Sequence, residues 1–434
     1  MNDQQIVLKE YECLFESDSR LMAGEFDALE KFALDYLSQH KKDVLTLGYS
    51  RKKKEKYFKP THYVGLLTLP GGLRIEILPK LFLTEKTEEA GEEETRNFFF
   101  TMLRTCGVIP SAPSSRGGLD RRHTDMLECF YAAFVEDVQR LVRQGLASGY
   151  HTQTDNQPFL KGRLELAGHI KYNAAHGERF YVTYNVFDQD RAENRLIKTA
   201  LAGVQKKTLS QKLRVQAGRL LGDMDAIPLS LDPAEEFSRL VQDRSVARYK
   251  ETLEWARLFL LHESFTTFSG TSATQAVLFP MEQVFEVYVA VELRRLLTPL
   301  GWEVEVQKSR SFFRKKDTAQ ESRPLRPDLV LRKDKRCFVM DTKWKDLNRK
   351  PVSSADLYQM YAYGKMYNAV RVTLLYPWSD GQEFTFISQE KDAPVTVDVK
   401  QFHVDRIKEE LAPYIQELYL SSTKPNRVDG SPEV

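Results

Sequence analysis

The chain has 434 residues, more than a single domain usually contains, so two or three domains are expected. Hydrophobic residues make up 42% and charged residues 29%, and no apolar run approaches the ~18 residues of a membrane span. The polar N-terminus lacks a signal-peptide pattern, and four widely spaced cysteines argue against disulfides or a zinc site, so a cytoplasmic protein is expected. A net charge of only +2 means that nucleic-acid binding would have to depend on local basic patches.

Residues 1–115 are expected to form a mixed α/β domain. The stretch EFDALEKFALDYL is typical of a helix, and YVGLLTLPGGLRIEILPKLF contains two β-prone runs separated by a turn signal. The acidic segment TEKTEEAGEEE is interpreted as an exposed loop or the start of a helix. The segment SAPSSRGGLD, residues 111–120, is interpreted as a linker.

Residues 116–270 are expected to form a helical middle domain that carries a β-rich projection at about 149–190. A long helix ending near Gly145 is predicted by apolar residues at helical spacing: Leu127, Phe130, Tyr131, Phe134, Val138 and Leu141. The projection is predicted from two strands, FLKGRLELAGHI and ERFYVTYNVFD, joined by a polar turn at residues 173–178. Helical segments then continue to about Leu261.

Residues 271–434 are expected to form a third domain of α/β type. Its first helix, MEQVFEVYVAVELRRLL, follows Pro280. The runs WEVEVQ, DLVL, RCFVMD, VRVTLLYP and EFTFISQ are typical of strands, and SSADLYQMYAYGKMY is typical of a helix capped by Ser353 or Ser354.

The segment RPDLVLRKDKRCFVMDTKWK, residues 326–345, contains two apolar runs that each have a carboxylate at one end. If the runs pair as a hairpin, Asp328 and Asp341 approach each other, and two carboxylates repel unless a cation lies between them. Strand alternation places Asp341 and Lys343 on one face and Thr342 on the other. The segment therefore predicts a magnesium site at which Lys343 orients a water or offsets charge on a phosphate.

Other residues could complete this site. Asp-x-Lys is also a common surface tripeptide, so the neighbouring residues matter. Either Glu282 or Glu286, one helical turn apart on the preceding helix, could supply a third carboxylate. Gln359 and Tyr363 lie one turn apart on the following helix, where packing is the alternative interpretation.

Taken in this order, Glu286, Asp328, Asp341-Thr342-Lys343 and Gln359-xxx-Tyr363 resemble the PD-(D/E)xK nuclease superfamily, and specifically its McrC branch. Three further blocks, GGLRIEILPK, LKGRLE and FDQDRAENRLIKTAL, extend the resemblance over most of the chain. It implies a C-terminal restriction-endonuclease-like domain with a mixed central sheet, in which Asp328, Asp341 and Thr342 hold Mg²⁺ and the remaining residues assist cleavage of double-stranded DNA.

The resemblance also implies a partner, a McrB-like AAA+ hexamer that hydrolyses GTP or ATP, and allows for a self-dimer within a larger assembly. The middle region is expected to enter the ring of this partner, with the contact made by Lys161, Arg163 and Lys171. The present chain contains no GxxxxGK[ST] phosphate-binding loop, so nucleotide hydrolysis is expected in the partner alone.

Two basic tracts are candidate DNA contacts. Arg314, Lys315 and Lys316 precede the predicted hairpin and Lys345 follows it, so they could line a DNA track and make binding salt-dependent. A lysine-rich stretch at residues 50–60 has interleaved aromatic residues, but a solvated loop is an equally good interpretation of it.

Two other functions remain open at this point. A non-catalytic adaptor could dock on an AAA+ partner and DNA, although a scaffold has no need of Asp328, Asp341 and Lys343. A stand-alone repair nuclease of the RecB-like type is favoured by Gln359 and Tyr363 but leaves the first 270 residues without a role.

Overall fold

Two stretches from opposite ends of the sequence fold together in the computed structural model. It describes residues 5–40, 44–69, 73–81, 91–110, 126–240, 244–261, 267–269, 275–314, 322–348, 350–378, 382–390 and 394–423. Ile6–Val108 and Leu278–Val434 form one compact unit, here called the two-part unit, and Ile109–Ser269 with Gln275–Val277 form the middle unit. The division into three domains, with boundaries near residues 115 and 270, remains a prediction.

The N-terminal part of the two-part unit contains small antiparallel sheets and two helices. Its elements are β1 (Gln5–Lys9), β2 (Leu14–Phe15), α1 (Glu25–His40), β3 (Leu45–Ser50), β4 (Glu55–Pro60), β5 (Tyr63–Thr68), β6 (Arg74–Leu78) and α2 (Glu92–Thr105). The predicted helix is α1, and the two predicted strands are β5 and β6, which pair antiparallel with Gly65 opposite Ile77. Every residue of β6 is buried, including the charged Arg74 and Glu76, and the Glu76 carboxylate pairs with the Arg96 guanidinium at 2.6 Å. The predicted linker at 111–120 lies outside the described residues.

The middle unit is mainly helical, as predicted. Its elements are α3 (Met126–Arg143), β7 (Gly149–Gln157), β8 (Arg163–Leu164), α4 (Leu166–Asn173), β9 (Phe180–Asp188), α5 (Ala192–Lys207), α6 (Gln211–Asp223), α7 (Pro233–Arg239), α8 (Lys250–Leu261), β10 (Thr267–Ser269) and the start of β11 (Gln275–Pro280). The predicted apolar stripe of α3 is buried along Phe130, Phe134 and Val138, and Gly145 after it has a φ of 86°.

The β-rich insert is a long hairpin, but the first of its two predicted strands was wrong. Strand β9 pairs antiparallel with β7, from Gly149 opposite Asp188 to Gln157 opposite Phe180. The run predicted as a strand at 159–170 contains only the short β8, and Leu166–Asn173 is the helix α4. Strand β7 is polar and its side chains form cross-strand hydrogen bonds, such as that between Thr154 Oγ1 and Thr183 Oγ1 at 2.8 Å, so it has no hydrophobic alternation to reveal it.

The C-terminal part of the two-part unit is α/β, as predicted. Its elements are α9 (Met281–Leu297), β12 (Glu303–Val306), β13 (Arg310–Arg314), β14 (Ser322–Leu325), β15 (Leu329–Lys333), β16 (Arg336–Thr342), α10 (Ser354–Tyr367), β17 (Arg371–Pro377), β18 (Phe384–Ile387), β19 (Thr396–Phe402) and α11 (Ile407–Thr423). A six-stranded mixed sheet has the order β12-β15-β16-β17-β19-β18, with β16, β17 and β19 parallel. The sequence did not predict β19 or α11.

Helices cover both faces of this sheet. On one face, Met360 and Tyr363 of α10 pack against Val339 and Val372. On the other face, Phe338 meets Trp302 at a ring-centroid distance of 5.7 Å, and the side chains of α9 and α11 complete the layer. The sheet is therefore rigidly held, and the residues at its strand ends have fixed positions.

Candidate active site

The predicted hairpin exists and brings the two aspartates together. Strands β15 and β16 pair antiparallel with Leu329 opposite Met340, so Asp328 and Asp341 lie at the same end of the pair. The opposite end is a tight turn in which Asp334 and Lys335 have φ values of 47° and 66°. Such a two-residue turn matches the twist of the strands and fixes their register. The turn thereby determines which residues face each other at the site.

Thr342 and Lys343 each contact one of the two aspartates at this end of the hairpin. Thr342 donates to Asp328 Oδ2 from its backbone amide and its hydroxyl, each at 2.7 Å. The Lys343 ammonium lies 2.6 Å from Asp341 Oδ2, so the predicted proximity of these two side chains is confirmed. The backbone amide of Lys343 donates to the Leu375 carbonyl at 2.8 Å, which anchors the residue to β17. The site thus lies at the strand ends, with Asp341 and Thr342 in β16 and with Asp328 and Lys343 directly next to β15 and β16.

The structure distinguishes between the two candidate glutamates of α9. Glu286 accepts a hydrogen bond from the Gln307 side-chain amide, and the Gln307 backbone amide donates to the Asp328 carbonyl at 2.9 Å. Burial raises the pKa of Glu286, and the negative charge of the nearby Asp328 raises it further. Glu282 instead lies toward a separate cavity of the same unit. The helix carboxylate of the site is therefore Glu286.

Burial and mutual repulsion perturb the carboxyl groups of the site. Asp341 is only 2% exposed. Burial, followed by the charge of Asp328, raises the pKa of Asp341 to about 6, although the Lys343 ammonium opposes the shift. Burial also raises the pKa of Asp328, against the hydrogen bonds from Thr342. Carboxylates placed together in a buried position are stabilised by a cation, so the arrangement favours binding of a positive ion.

Helix α10 contributes the two residues predicted from it. Gln359 Oε1 accepts from Lys343 Nζ at 3.2 Å, and Gln359 Nε2 donates to Tyr363 Oη at 2.8 Å. Tyr363 Oη then donates to the Arg326 carbonyl at 3.0 Å. This chain of hydrogen bonds joins the catalytic candidate Lys343 to the segment immediately before Asp328, so Gln359 and Tyr363 lie beside the candidate site, and Tyr363 is also part of the buried core.

Three residues near the site had no sequence signal. Gln307 and Arg326 are joined by a hydrogen bond from the Arg326 guanidinium to the Gln307 side-chain oxygen, and both lie beside Glu286 or Asp328. The Asp356 carboxylate lies 3.7 Å from Lys343 Nζ and 3.4 Å from Lys345 Nζ. Asp356 also forms a capping box with Ser353. The sequence predicted the helix start at this serine, but it did not predict the contacts of Asp356 with the two lysines.

The donor set suits one kind of metal site. Across the described ranges, no three His, Cys, Asp or Glu side chains are grouped as a set that could hold a metal ion. Glu286 is held by Gln307, which leaves Asp328 and Asp341 as a pair of oxygen donors. A pair of carboxylates is what Mg²⁺ uses when it retains several waters, whereas a closed zinc or calcium cage requires more ligands. The residues therefore fit an open magnesium site.

The predicted DNA contacts are only partly described. Lys345 is half-buried and paired with Asp356. Arg314 is the last residue of β13, and Lys315 and Lys316 lie outside the described residues.

The predicted partner contacts lie on the hairpin insert of the middle unit. The Lys161 ammonium lies 4.1 Å from the centre of the Tyr184 ring, Arg163 is paired with Glu165, and the Lys171 ammonium lies 5.0 Å from the Tyr172 ring. The same insert exposes several large apolar side chains: Tyr150, Phe159, Leu160, Leu166, Ile170, Tyr172 and Phe187. Tyr150 and Phe187 contact each other across β7 and β9, with ring centroids 4.8 Å apart.

Comparison with known proteins agrees with this α/β architecture. The sequence profile described as "McrBC 5-methylcytosine restriction system component" matches residues 58–377, which is most of the chain. The chain therefore belongs to the McrBC 5-methylcytosine restriction system component family, as the resemblance predicted.

Individual relatives point the same way. The "Type IV methyl-directed restriction enzyme EcoKMcrBC" of Escherichia coli (strain K12) is 24% identical over 263 residues, which cover 55% of this chain and 72% of the relative. A solved assembly of Thermococcus gammatolerans McrB AAA+ hexamers with bound McrC contains a chain that is 21% identical. It has a TM-score of 0.70 and covers 94% of this chain and 100% of its own.

A second structure, the Thermococcus gammatolerans McrBC complex, is 22% identical with a TM-score of 0.50 over 68% of this chain and 88% of its own. These likenesses show a shared fold.

Within the described part of the chain, no helix has the length and apolar character needed to cross a membrane.

Proposed function

We propose that this chain is the DNA-cleaving subunit of an McrBC-type restriction system and that it hydrolyses phosphodiester bonds of foreign or modified DNA in a magnesium-dependent reaction. The observation that carries the proposal is the contact of Lys343 with Asp341, 2.6 Å long, at a strand end that also holds Asp328. A surface Asp-x-Lys tripeptide would be solvated, but here Asp341 is buried and its pKa is raised. Burying such a pair without a functional reason is costly.

The fold supports a restriction-endonuclease-like domain of the PD-(D/E)xK type. The mixed sheet, covered by helices on both faces, presents Asp328 and Asp341 from an antiparallel pair and Gln359 from the helix that connects β16 to the parallel strand β17. Strand ends at the edge of such a sheet are common positions for reactive groups, because the scaffold beneath them is rigid.

The chain's own residues would act as follows. Asp328 and Asp341 would hold Mg²⁺, which when bound polarises a phosphate and lowers the pKa of an attacking water. Thr342 fixes the carboxylate of Asp328, and Gln359 fixes the ammonium of Lys343. Lys343 would then donate to a phosphate oxygen on which negative charge develops, an arrangement that lowers the barrier because the donor is already oriented.

We further propose a McrB-like AAA+ hexamer as the partner. A structural neighbour that covers 94% of this chain comes from an assembly of McrB AAA+ hexamers with bound McrC. The hairpin insert formed by β7, β8, α4 and β9 is the part of the middle unit that we assign to this contact. Its exposed apolar side chains need a covering surface, and Lys161, Arg163 and Lys171 add positive charge at the same place.

The proposal is tested with the purified chain and its candidate AAA+ partner on methylated plasmid DNA. Cleavage is expected with Mg²⁺ and nucleotide, and none in EDTA. Asp341→Asn and Lys343→Ala should each lower cleavage at least ~100-fold while leaving co-purification with the partner unchanged. An assembly that binds DNA and partner but cuts no faster than Asp341→Asn would support the adaptor function instead.

A further inference from the structure

A cavity of about 540 Å³ lies inside the two-part unit, next to the candidate active site. Lys345 lines it and is joined to Lys343 through Asp356, whose carboxylate lies 3.4 Å and 3.7 Å from the two ammonium groups. Helix α9 contributes to both places, since Glu286 is at the active site and Glu282, one turn earlier, lines the cavity. One carboxylate and one helix therefore connect the cavity with the candidate active site.

The cavity carries an excess of positive charge. Its lining includes four lysines, Lys59, Lys80, Lys345 and Lys350, against three acidic residues, Glu10, Glu282 and Asp346. Glu10 is 3% exposed, and its burial raises its pKa to about 8. It is therefore mostly neutral near pH 7. Lys345 is paired with Asp356, which does not line the cavity, so the balance of the lining is three lysines, Lys59, Lys80 and Lys350, against Glu282 and Asp346. This balance favours an anionic ligand such as a phosphate group.

The cavity also offers aromatic surface. The indole of Trp378 is half-buried and stacks on His403 with ring centroids 4.7 Å apart, so its orientation is fixed. Tyr11 is 38% exposed and has a φ of 64°, an uncommon backbone conformation for a tyrosine. Trp344 donates from Nε1 to both oxygens of Glu10 at 3.0 Å and 3.1 Å, which closes the inner wall. Lysines beside rigid aromatic rings are typical of sites for unpaired nucleotides.

We propose that this cavity binds one unstacked nucleotide of the DNA strand engaged by the Asp328–Asp341 site, with the phosphate on the lysines and the base against Trp378 and Tyr11. The volume is within the range of small-molecule sites and is too small for a duplex. The inference rests on the proposed function for its ligand. It adds that the strand is distorted beside the cleavage site, because a base must leave its stack to enter.

Two fluorescein-labelled duplexes test the proposal with the full chain in EDTA, where binding is measured by anisotropy and no cleavage occurs. One duplex is fully paired and the other contains a single unpaired thymidine. The wild-type chain should bind the second duplex about tenfold more tightly, since base–aromatic stacking is gained. Trp378→Ala should abolish the preference, and Trp378→Phe should restore most of it.

Lysine variants make the test independent of the tryptophan. Lys59→Ala should weaken binding of the unpaired-thymidine duplex and reduce its salt dependence, while Lys408→Ala, at an exposed position of α11, should leave both unchanged. Equal wild-type affinity for the two duplexes, or an undiminished preference in Trp378→Ala, would overturn the inference. Failure of the proposed function is seen separately, as absence of Mg²⁺-dependent cleavage by the wild-type assembly.

Discussion

Thr342 donates both its backbone amide and its hydroxyl to the same carboxylate oxygen of Asp328, each at 2.7 Å. Both donors belong to Thr342 of β16, and the acceptor, Asp328, directly precedes β15. The two hydrogen bonds therefore fix the rotation of the Asp328 carboxylate and also hold the two strands together at this end of the hairpin. A metal-binding carboxylate needs this kind of support, because neighbouring hydrogen bonds set ligand orientation. Thr342 was predicted as a metal ligand, and the structure shows its amide and hydroxyl bound to Asp328.

Thr342→Val should therefore raise the Mg²⁺ concentration required for half-maximal cleavage by about tenfold. The substitution removes the hydroxyl donor but keeps the backbone amide and the side-chain shape, so the melting temperature should change little. Thr342→Ser, which keeps the hydroxyl, is the matched control. A magnesium titration of cleavage for the three proteins decides the matter, and identical curves for valine and threonine would contradict a supporting role.

Gln359→Ala should slow cleavage by roughly 10- to 100-fold at saturating Mg²⁺, because the Lys343 ammonium loses the amide oxygen that orients it. The exposed neighbour Tyr358, changed to alanine on the same helix, is the control for a general effect on α10. Cleavage rates and thermal unfolding are measured together. A fall in melting temperature with unchanged cleavage per folded molecule would make Gln359 a packing residue.

Asp356→Asn should lower the cleavage rate several-fold, because Lys343 and Lys345 share the charge of this carboxylate. Asparagine keeps the size of the side chain, so most of the packing survives. Ser353→Ala breaks the other half of the capping box and should cost about 1 kcal/mol of stability without a comparable loss of cleavage. If the two variants reduce cleavage equally, Asp356 acts through the helix cap and not through the lysines.

The part of the site that is local in sequence could be predicted, and the part that depends on tertiary contacts could not. Asp328, Asp341 and Lys343 lie on one hairpin whose alternation and turn are readable from the sequence. Gln307 reaches the site only because β12 pairs with β15, a pairing with no local signature, and it accepts a hydrogen bond there from Arg326. The sequence also could not distinguish Glu282 from Glu286, because residues one helical turn apart lie on the same face of α9 and only the tertiary contacts separate their roles.

The hairpin insert shows the converse failure. The run at 159–170 contains apolar residues that suit either a strand or a helix, and Leu166 and Ile170 are spaced by one helical turn. Strand β7 is polar and its partner β9 supplies its hydrogen bonds, so only the pairing reveals it. Periodicity predicts an element from what it buries, and this insert buries little of its surface.

Glu10→Gln should flatten the pH dependence of stability between about pH 5 and pH 8. Burial raises the pKa of Glu10 from 4.5 to about 8, so across this interval the folded chain keeps a proton that the unfolded chain has lost. The free energy of unfolding of the wild type must therefore decrease as pH rises, until Glu10 also ionises in the folded chain. Melting temperatures of the wild type should fall by at least ~4 °C relative to Glu10→Gln over this range. Parallel curves would show that Glu10 is not protonated in the fold.

The last prediction concerns the surface of the hairpin insert, to which we assign the contact with the proposed partner. Leu166 and Ile170 of α4 are 65% and 68% exposed and lie on the same face of the helix, so a partner that covers them gains apolar burial. Arg163 is already paired with Glu165, and Lys161 lies over Tyr184, so reversing these charges removes contacts within the insert as well as any contact across the interface. Leu166→Ser combined with Ile170→Ser should therefore reduce stimulation of the partner's nucleotide hydrolysis more than Lys161→Glu combined with Arg163→Glu.

Both double variants should keep the melting temperature within a few degrees of the wild type, because the changed residues are exposed or half-buried. Leu231→Ser, at a fully exposed position of the same unit, is the control, since it removes an equally large apolar side chain outside the insert. Hydrolysis by the AAA+ ring is measured against the concentration of each variant. A larger loss of stimulation from the charge reversals would favour an electrostatic contact. Unchanged stimulation by both double variants would place the contact outside this insert, because one variant alters the apolar surface of the insert and the other alters its charged surface.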